Sequence, residues 1–256
     1  MPRTGRSVPR HDEGRTMSSW FMPETVPAAA IRLFCFSYAG GGASTFRSWP
    51  RDDSLGVVPV QLPGRENRMA EAPLLSMDEI VEQTAQAMLP YVDAPYALFG
   101  HSLGARVGFE VARFMRRRGH ALPVHLFVSG SRAPEIPEPQ PLHDLDEDEF
   151  FTALARYGGT SRIFLENREV RKLFLPMLRA DFTVDETYRY REEAALPLPV
   201  TAFFGSEDRE ADAFEVQGWE KQTCRKFNCC EIPGDHFFVT RASGLVVARI
   251  RAELSL

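Results

Sequence analysis

The sequence predicts an α/β protein with a mostly parallel central sheet flanked by helices. Short, nearly continuous apolar runs are typical of strands buried on both faces, and from Ile31 onwards they alternate with helical stretches. The chain has 256 residues, of which 44% are hydrophobic and 25% are charged. This composition is ordinary for a globular protein and is sufficient for one sizeable core.

Six apolar runs account for the predicted sheet, and helical patterns lie between them. The strands are expected at 31–37, 56–62, 96–99, 124–129, 200–204 and 226–232. Helices are expected at 77–91, at 103–118 and at roughly 239–254. Ser76 with Glu79 forms a capping-box pattern at the first helix, and apolar residues recur at helical spacing in the second.

The stretch after the fourth strand breaks this alternation. A proline-rich connector follows Gly130, and about fifty residues then show only helical patterns, with helices expected over 146–157 and 169–190. A helical insertion between two strands can cover the sheet edge where the strands end, so we predict a lid over about 142–193. Residues 1–26 show no periodicity and are expected to be a disordered leader before a domain at 27–256.

Composition excludes several classes of partner. The net charge of −5 makes nucleic acid a poor candidate, and no apolar run approaches the roughly 20 residues of a membrane span. Four cysteines lack the paired spacing of a zinc site, so we expect no metal and no cofactor. No apolar signal segment follows the N-terminus, and we expect a monomeric protein in the cytoplasm.

A G-x-S-x-G pentapeptide, Gly100 to Gly104, is the most specific motif in the chain. A strand is predicted before it and an amphipathic helix after it, which is the context of a nucleophile elbow. The two glycines allow the strand and the helix to approach closely around a serine in a strained turn. We therefore predict that Ser102 is a catalytic nucleophile rather than a serine in an ordinary surface turn.

A serine nucleophile needs a base, and the base needs an orienting acid. A nucleophile elbow predicts the chain order serine, acid, histidine, and two later strand ends supply both groups. His236 lies in a glycine turn before the last helix, and Asp208 follows the fifth predicted strand. Glu207 and Asp212 are alternative acids, while Asp235 is interpreted as a turn residue.

Two backbone N–H groups should stabilise the oxyanion that serine attack creates. Leu103, the residue after the nucleophile, is one expected donor. The loop Ser37-Tyr-Ala-Gly-Gly-Gly-Ala43 follows the first strand and is expected to supply the other from Ala39. A glycine-rich loop can also hold phosphate, but this one lacks the G-K-[ST] ending of a P-loop.

These motifs together resemble type II thioesterases, the stand-alone editing enzymes of polyketide and nonribosomal peptide synthases. The resemblance runs from about Ile31 to the C-terminus, and Leu62-Pro-Gly-Arg65 is its most discriminating part, although the sequence alone suggests no catalytic role for it. The resemblance implies an α/β-hydrolase fold with a helical lid, and a triad of Ser102, Asp208 and His236. The family often has glycine where this chain has Asp235.

The resemblance implies hydrolysis of acyl groups from the phosphopantetheine arm of an acyl or peptidyl carrier protein. The alternatives are a carboxylesterase or lipase that acts on small free esters, and a hydrolase-like scaffold that only binds a carrier. Large apolar residues of the predicted lid either pack its helices or line an acyl channel. Phe182 and Met177 are the candidates for substrate binding.

Overall fold

The structure, a computed structural model, describes residues 20–24, 26–157 and 167–256. Residues 1–19 of the predicted leader and residues 158–166 of the predicted lid lie outside these ranges. The strands are β1 (Ile31–Phe36), β2 (Leu55–Pro59), β3 (Tyr96–His101), β4 (Leu126–Ser129), β5 (Val200–Gly205) and β6 (Phe227–Ile232). They form a parallel sheet in the order β2-β1-β3-β4-β5-β6, which confirms the predicted fold class.

Helices cover both faces of this sheet. They are α1 (Met77–Met88), α2 (Leu103–Arg117), α3 (Glu147–Leu154), α4 (Arg168–Thr187), α5 (Ala213–Gln217), α6 (Phe238–Arg241) and α7 (Ser243–Glu253). Apolar residues of α1 and α2 pack on one face of the sheet, and those of α6 and α7 pack on the other. Burial of the strands on both faces explains their nearly continuous apolar sequences.

Several predicted boundaries differ from the structure by one to three residues, and one predicted helix is divided. β2 ends at Pro59 instead of reaching Leu62, although the next residue, Val60, still donates its N–H to Cys35 of β1 and forms an isolated antiparallel bridge with Phe21. β2 is an edge strand, where the missing N–H of proline is tolerated. The last helix is divided at Ala242, whose φ of −113° and ψ of 29° interrupt helical geometry between α6 and α7.

Trp20 and Phe21, which fall within the range predicted as a leader, are packed against the domain. Phe21 is fully buried against Phe34, with ring centroids 5.4 Å apart, and Trp20 lies 4.5 Å from the guanidinium of Arg68. These aromatic side chains therefore tie Trp20 and Phe21 to the domain through apolar and cation–π contacts.

The insertion between β4 and β5 contains α3 and α4, as the sequence predicts. Its apolar side chains form a cluster separate from the two that cover the sheet, comprising Leu142, Phe150, Phe151, Leu154, Met177, Leu178 and Phe182. Asp146 and Asn167 cap the N-termini of the two helices. The insertion is therefore a helical unit with a core of its own beside the carboxyl ends of the strands.

Candidate active site

Ser102 occupies a tight turn between β3 and α2. Its φ of 55° and ψ of −122° lie in a region that side-chain-bearing residues rarely adopt. A Cβ on Gly100 would lie 2.0 Å from the carbonyl oxygen of Gly104, and one on Gly104 would lie 2.3 Å from the carbonyl oxygen of Phe36. Both glycines are thus required by close backbone contacts, and the strand–turn–helix predicted for the nucleophile elbow is confirmed.

Asp208 and His236 meet at the carboxyl ends of β5 and β6. Nδ1 of His236 donates a hydrogen bond to Oδ2 of Asp208 over 2.9 Å, and both side chains are buried. The backbone N–H of Glu210 donates to the other carboxylate oxygen over 2.8 Å. In the neutral tautomer that has its proton on Nδ1, Nε2 keeps a lone pair and can accept a proton.

The charge state of Asp208 follows from two opposing effects. Burial favours the neutral acid, but the hydrogen bond and the charge of His236 outweigh it, so the pKa of Asp208 is lowered. The carboxylate is therefore ionised at neutral pH and can stabilise a protonated imidazole.

The alternative acids, Glu207 and Asp212, are placed differently from Asp208. Asp212 caps α5 in a reciprocal capping box with Glu215, and Glu207 is exposed. Asp235 accepts a hydrogen bond from the backbone of Phe237 and pairs with Arg241, which agrees with its interpretation as a turn residue.

Ser102 and His236 border the same cavity, which has a volume of about 350 Å³. Within the described residues, no hydrogen bond joins the Ser102 hydroxyl to the imidazole; such bonds often form only when substrate is bound. The cavity is also lined by Tyr38, Ala39, Gly40, Leu154, Tyr157, Leu178, Phe182, Asp185, Phe237, Thr240 and Arg241. The elbow, the glycine-rich loop, the histidine turn and the lid helices thus converge on one space.

The predicted oxyanion donors occupy suitable elements. Leu103 is the first residue of α2, so its N–H belongs to the first turn, where N–H groups have no acceptor within the helix. Ala39 lines the cavity in the glycine-rich loop. The neighbouring N–H of Gly40 is not free, because it donates to Oδ2 of Asp181 over 2.7 Å.

The two predicted substrate-binding residues differ in position. Phe182 lines the cavity from α4 and contacts the ring of Tyr157, with centroids 5.6 Å apart. Met177 is buried within the apolar cluster of the insertion but does not line the cavity. It lies one turn and a half before Phe182 on the same helix, so the two side chains point in different directions. In the structure, Met177 therefore packs within the insertion and does not reach the cavity.

His101 is a residue of the site that the sequence motifs did not indicate. It is completely buried, and its Nε2 lies 2.8 Å from the backbone carbonyl oxygen of His236, which can only accept a hydrogen bond. Nε2 therefore carries the proton, and Nδ1 accepts from the hydroxyl of Ser129 at 2.8 Å. Burial and the neighbouring His236 lower the pKa of His101 to about 3, so this ring stays neutral.

The described parts of the chain lack both a cluster of metal-binding side chains and a membrane-spanning helix. They contain no group of three or more His, Cys, Asp or Glu side chains placed to hold a metal ion. They also contain no helix with the length and apolar character needed to cross a bilayer.

The parallel sheet, the strained serine after β3 and the Asp–His pair place the chain in the α/β-hydrolase class. The thioesterase domain family matches residues 31–254, and the chain belongs to that family. Gramicidin S biosynthesis protein GrsT from Aneurinibacillus migulanus is 43% identical over 227 residues, which cover 87% of this chain and 89% of GrsT. These comparisons confirm the family that the motifs indicated.

Solved structures give the same result. The thioesterase RedJ of the prodiginine pathway in Streptomyces coelicolor superposes with a TM-score of 0.83 at 38% identity, covering 88% of this chain and 91% of RedJ. YbtT, a type II thioesterase of the yersiniabactin pathway, gives a TM-score of 0.82 at 32% identity, covering 88% and 94% respectively.

Proposed function

We propose that this protein is a type II thioesterase that hydrolyses acyl thioesters on the phosphopantetheine arm of a carrier protein. The observation that carries the proposal is the meeting of Ser102 and the Asp208–His236 pair at one cavity beneath apolar helices. GrsT, RedJ and YbtT, named for the gramicidin S, prodiginine and yersiniabactin pathways, support this choice of substrate.

The first half of the proposed reaction is acylation. Oγ of Ser102 attacks the thioester carbonyl carbon while its proton passes to Nε2 of His236. The N–H groups of Leu103 and Ala39 stabilise the oxyanion, and Asp208 stabilises the imidazolium. The C–S bond then breaks, and the pantetheine sulfur leaves as a thiol with the proton from His236.

The second half is deacylation. A water molecule gives its proton to His236 and attacks the acyl-serine ester, so a second oxyanion forms at the same N–H groups. Its collapse breaks the ester bond, returns a proton to Oγ of Ser102 and releases the carboxylic acid. No step requires a cofactor or a metal ion.

The helical insertion is proposed to act as the lid of this site, and its apolar residues to bind the acyl chain. Leu154, Leu178 and Phe182 face the cavity, whereas the remainder of the cluster holds α3 and α4 together. We infer that the enzyme acts as a monomer, because all the proposed catalytic groups belong to one chain. We also propose a cytoplasmic location, which follows from the proposed carrier-bound substrate.

The decisive experiment is hydrolysis of a panel of acyl-carrier thioesters by the wild-type protein and by Ser102→Ala. The variant should remain folded, because alanine adds no bulk in the turn, and should lose acyl release by several orders of magnitude. Release near the wild-type rate would show that the serine mechanism is wrong.

Matched oxygen esters in the same assay test the carboxylesterase alternative, which the comparisons do not favour. Faster hydrolysis of the free esters than of the carrier-bound thioesters would support that alternative. A fluorophosphonate probe tests the scaffold alternative, since only an activated serine should be labelled. Labelling of the wild-type protein and not of Ser102→Ala is expected.

A further inference from the structure

Arg65, the last residue of the Leu-Pro-Gly-Arg motif, forms a buried ion pair with Asp181 of α4. The contact is bidentate: Nη1 lies 2.7 Å from Oδ2, and Nη2 lies 2.8 Å from Oδ1. The side chains of Arg65 and Asp181 are only 5% and 1% exposed. Parallel N–H···O bonds of this kind fix the orientation of both groups.

The same pair holds the glycine-rich loop through two backbone groups, the N–H of Gly40 and the carbonyl oxygen of Gly41. The N–H of Gly40 donates to Oδ2 of Asp181 over 2.7 Å, and Nη1 of Arg65 donates to the carbonyl oxygen of Gly41 over 3.1 Å. Gly40 has a φ of +81°, and a Cβ there would lie 2.5 Å from Cδ2 of Leu178 on α4. The loop therefore lies directly against the lid helix.

This arrangement bears on the neighbouring residue, Ala39. Fixing the peptide that joins Ala39 to Gly40 limits the rotation of Ala39, whose own N–H is the proposed oxyanion donor. A donor held in place before the reaction needs no reorganisation during it.

We propose that Arg65 and Asp181 are positioning residues that hold the Ala39 N–H towards the oxyanion and link that loop to α4. The proposal rests on the thioesterase function proposed above, and it gives the Leu-Pro-Gly-Arg motif a role in positioning the glycine-rich loop. Stability alone does not explain a buried ion pair, because well-packed apolar residues at the same positions often give a folded protein of equal or greater stability.

The test compares Asp181→Asn with Glu186→Gln, a matched control on the same helix. Glu186 is also buried, but its carboxylate accepts hydrogen bonds from Leu142 and His143, away from the cavity. Asp181→Asn should lower kcat about 10- to 100-fold with little change in KM. Removing an oxyanion donor lowers kcat by about 10²- to 10³-fold, and displacing one should have a smaller effect. Glu186→Gln should lower thermal stability and leave kcat within a few-fold.

An alkyl trifluoromethyl ketone gives a readout that a purely structural role would not change. It adds to Ser102 to form a tetrahedral oxyanion, so its inhibition constant in Asp181→Asn should rise by the same factor as kcat/KM falls. Binding of a non-hydrolysable thioether analogue of the substrate, which forms no oxyanion, should stay unchanged.

Equal inhibition constants for Asp181→Asn and the wild-type protein would overturn the proposal, as would a kcat no lower than that of Glu186→Gln. If Asp181→Asn does not fold, Arg65→Lys decides the question, because it keeps the charge but loses the bidentate geometry. That variant should show a parallel but smaller loss of kcat and of ketone affinity, and wild-type values would again overturn the proposal.

The ketone assay also distinguishes a failure of this proposal from a failure of the proposed substrate class. A wild-type protein that binds the ketone and reacts with a fluorophosphonate, yet hydrolyses no carrier-bound thioester, would contradict the substrate class alone. The ratio of inhibition constants between the variants would still test Arg65 and Asp181.

Discussion

The individual residues of the site are held by backbone contacts as much as by their side chains. Ser102 keeps a φ of 55° because its N–H donates to the carbonyl oxygen of Ser129 and because two glycines let α2 approach β3. Strain of this kind persists only where the surrounding structure determines it. The hydroxyl is thereby presented at the N-terminus of a helix, where developing negative charge is stabilised.

His101 provides a prediction at this scale, because its Nε2–H holds the backbone of the proposed base. His101→Leu should leave the carbonyl of His236 buried without a donor, at a cost of about 1–3 kcal/mol. A small displacement of the imidazole can lower the rate by up to about 100-fold, so we expect a 10- to 100-fold lower kcat with little change in KM.

His101→Gln is the matched variant, since its amide can restore a donor near the position of Nε2. It should recover part of the lost kcat, measured with the same acyl-carrier thioester. If His101→Leu lowers the melting temperature but keeps the wild-type kcat, His101 has a structural role only.

Residues that act through sequence neighbours were easier to predict than residues that act through distant contacts. The elbow motif indicated Ser102 because its chemistry depends on glycines within two positions of it. The choice between Glu207 and Asp208 needed coordinates, because only the direction of each side chain separates them. The pairing of Arg65 with Asp181, 116 positions later, leaves no pattern in a single sequence.

At the scale of elements, the sequence predicted all six strands and the main helices but not all of their ends. Apolar runs identify buried strands, whereas strand ends depend on tertiary pairing. The apolar run of β2 continues through Val60, which contacts both Cys35 of β1 and Phe21, yet the strand itself ends at Pro59. Nor could helical spacing reveal the interruption at Ala242, because both resulting helices contribute to the same apolar face.

Helix α4 supports a prediction about substrate choice, since Phe182 forms part of the cavity wall. Phe182→Ala should enlarge the cavity and shift the preference in kcat/KM towards longer or bulkier acyl chains. One methylene in an apolar pocket changes specificity by about 10- to 200-fold, so several-fold shifts should be measurable. The assay is the ratio of kcat/KM for short and long acyl-carrier thioesters.

Met177→Leu is the control for this change, because Met177 packs in the same apolar cluster without lining the cavity. A similar volume should preserve packing, and the chain-length ratio should remain that of the wild-type protein. The same ratio in Phe182→Ala as in the wild-type protein would contradict an acyl-binding role for Phe182.

For the whole molecule, the apolar side chains of the described residues form three clusters, and the ones that support the sheet are distinct from the one in the insertion. Two clusters cover the faces of the sheet and hold the strand ends from which Ser102, Asp208 and His236 project. The third belongs to the insertion, which meets the catalytic loops through the cavity and through the Arg65–Asp181 pair. The proposed lid can therefore change with substrate preference while the triad keeps its support.

The buried histidines make the stability of the whole protein depend on pH. His125 is buried between Phe127, which stacks on it with centroids 4.1 Å apart, and Thr201, whose hydroxyl lies 2.9 Å from Nε2. Burial lowers the pKa of His125 to about 4, whereas the unfolded chain should titrate near the usual value of about 6.5. Between these values the unfolded state binds a proton that the folded state does not, so stability falls as the pH falls.

His125→Gln should remove this contribution while keeping a hydrogen-bonding group for Thr201. Linkage predicts that the titration of His125 lowers the free energy of unfolding of the wild-type protein by about 2 kcal/mol between pH 7.5 and 5.0. The variant lacks this loss, so its stability relative to the wild-type protein should rise by the same amount on acidification. Urea unfolding at several pH values measures it, and the difference between the two proteins cancels the titration of shared groups such as Glu186 and Glu210. A difference independent of pH would mean that the pKa of His125 is the same in the folded protein as in the unfolded chain, which would contradict the prediction. His125 does not line the catalytic cavity, so acyl release at pH 7.5 should be unchanged.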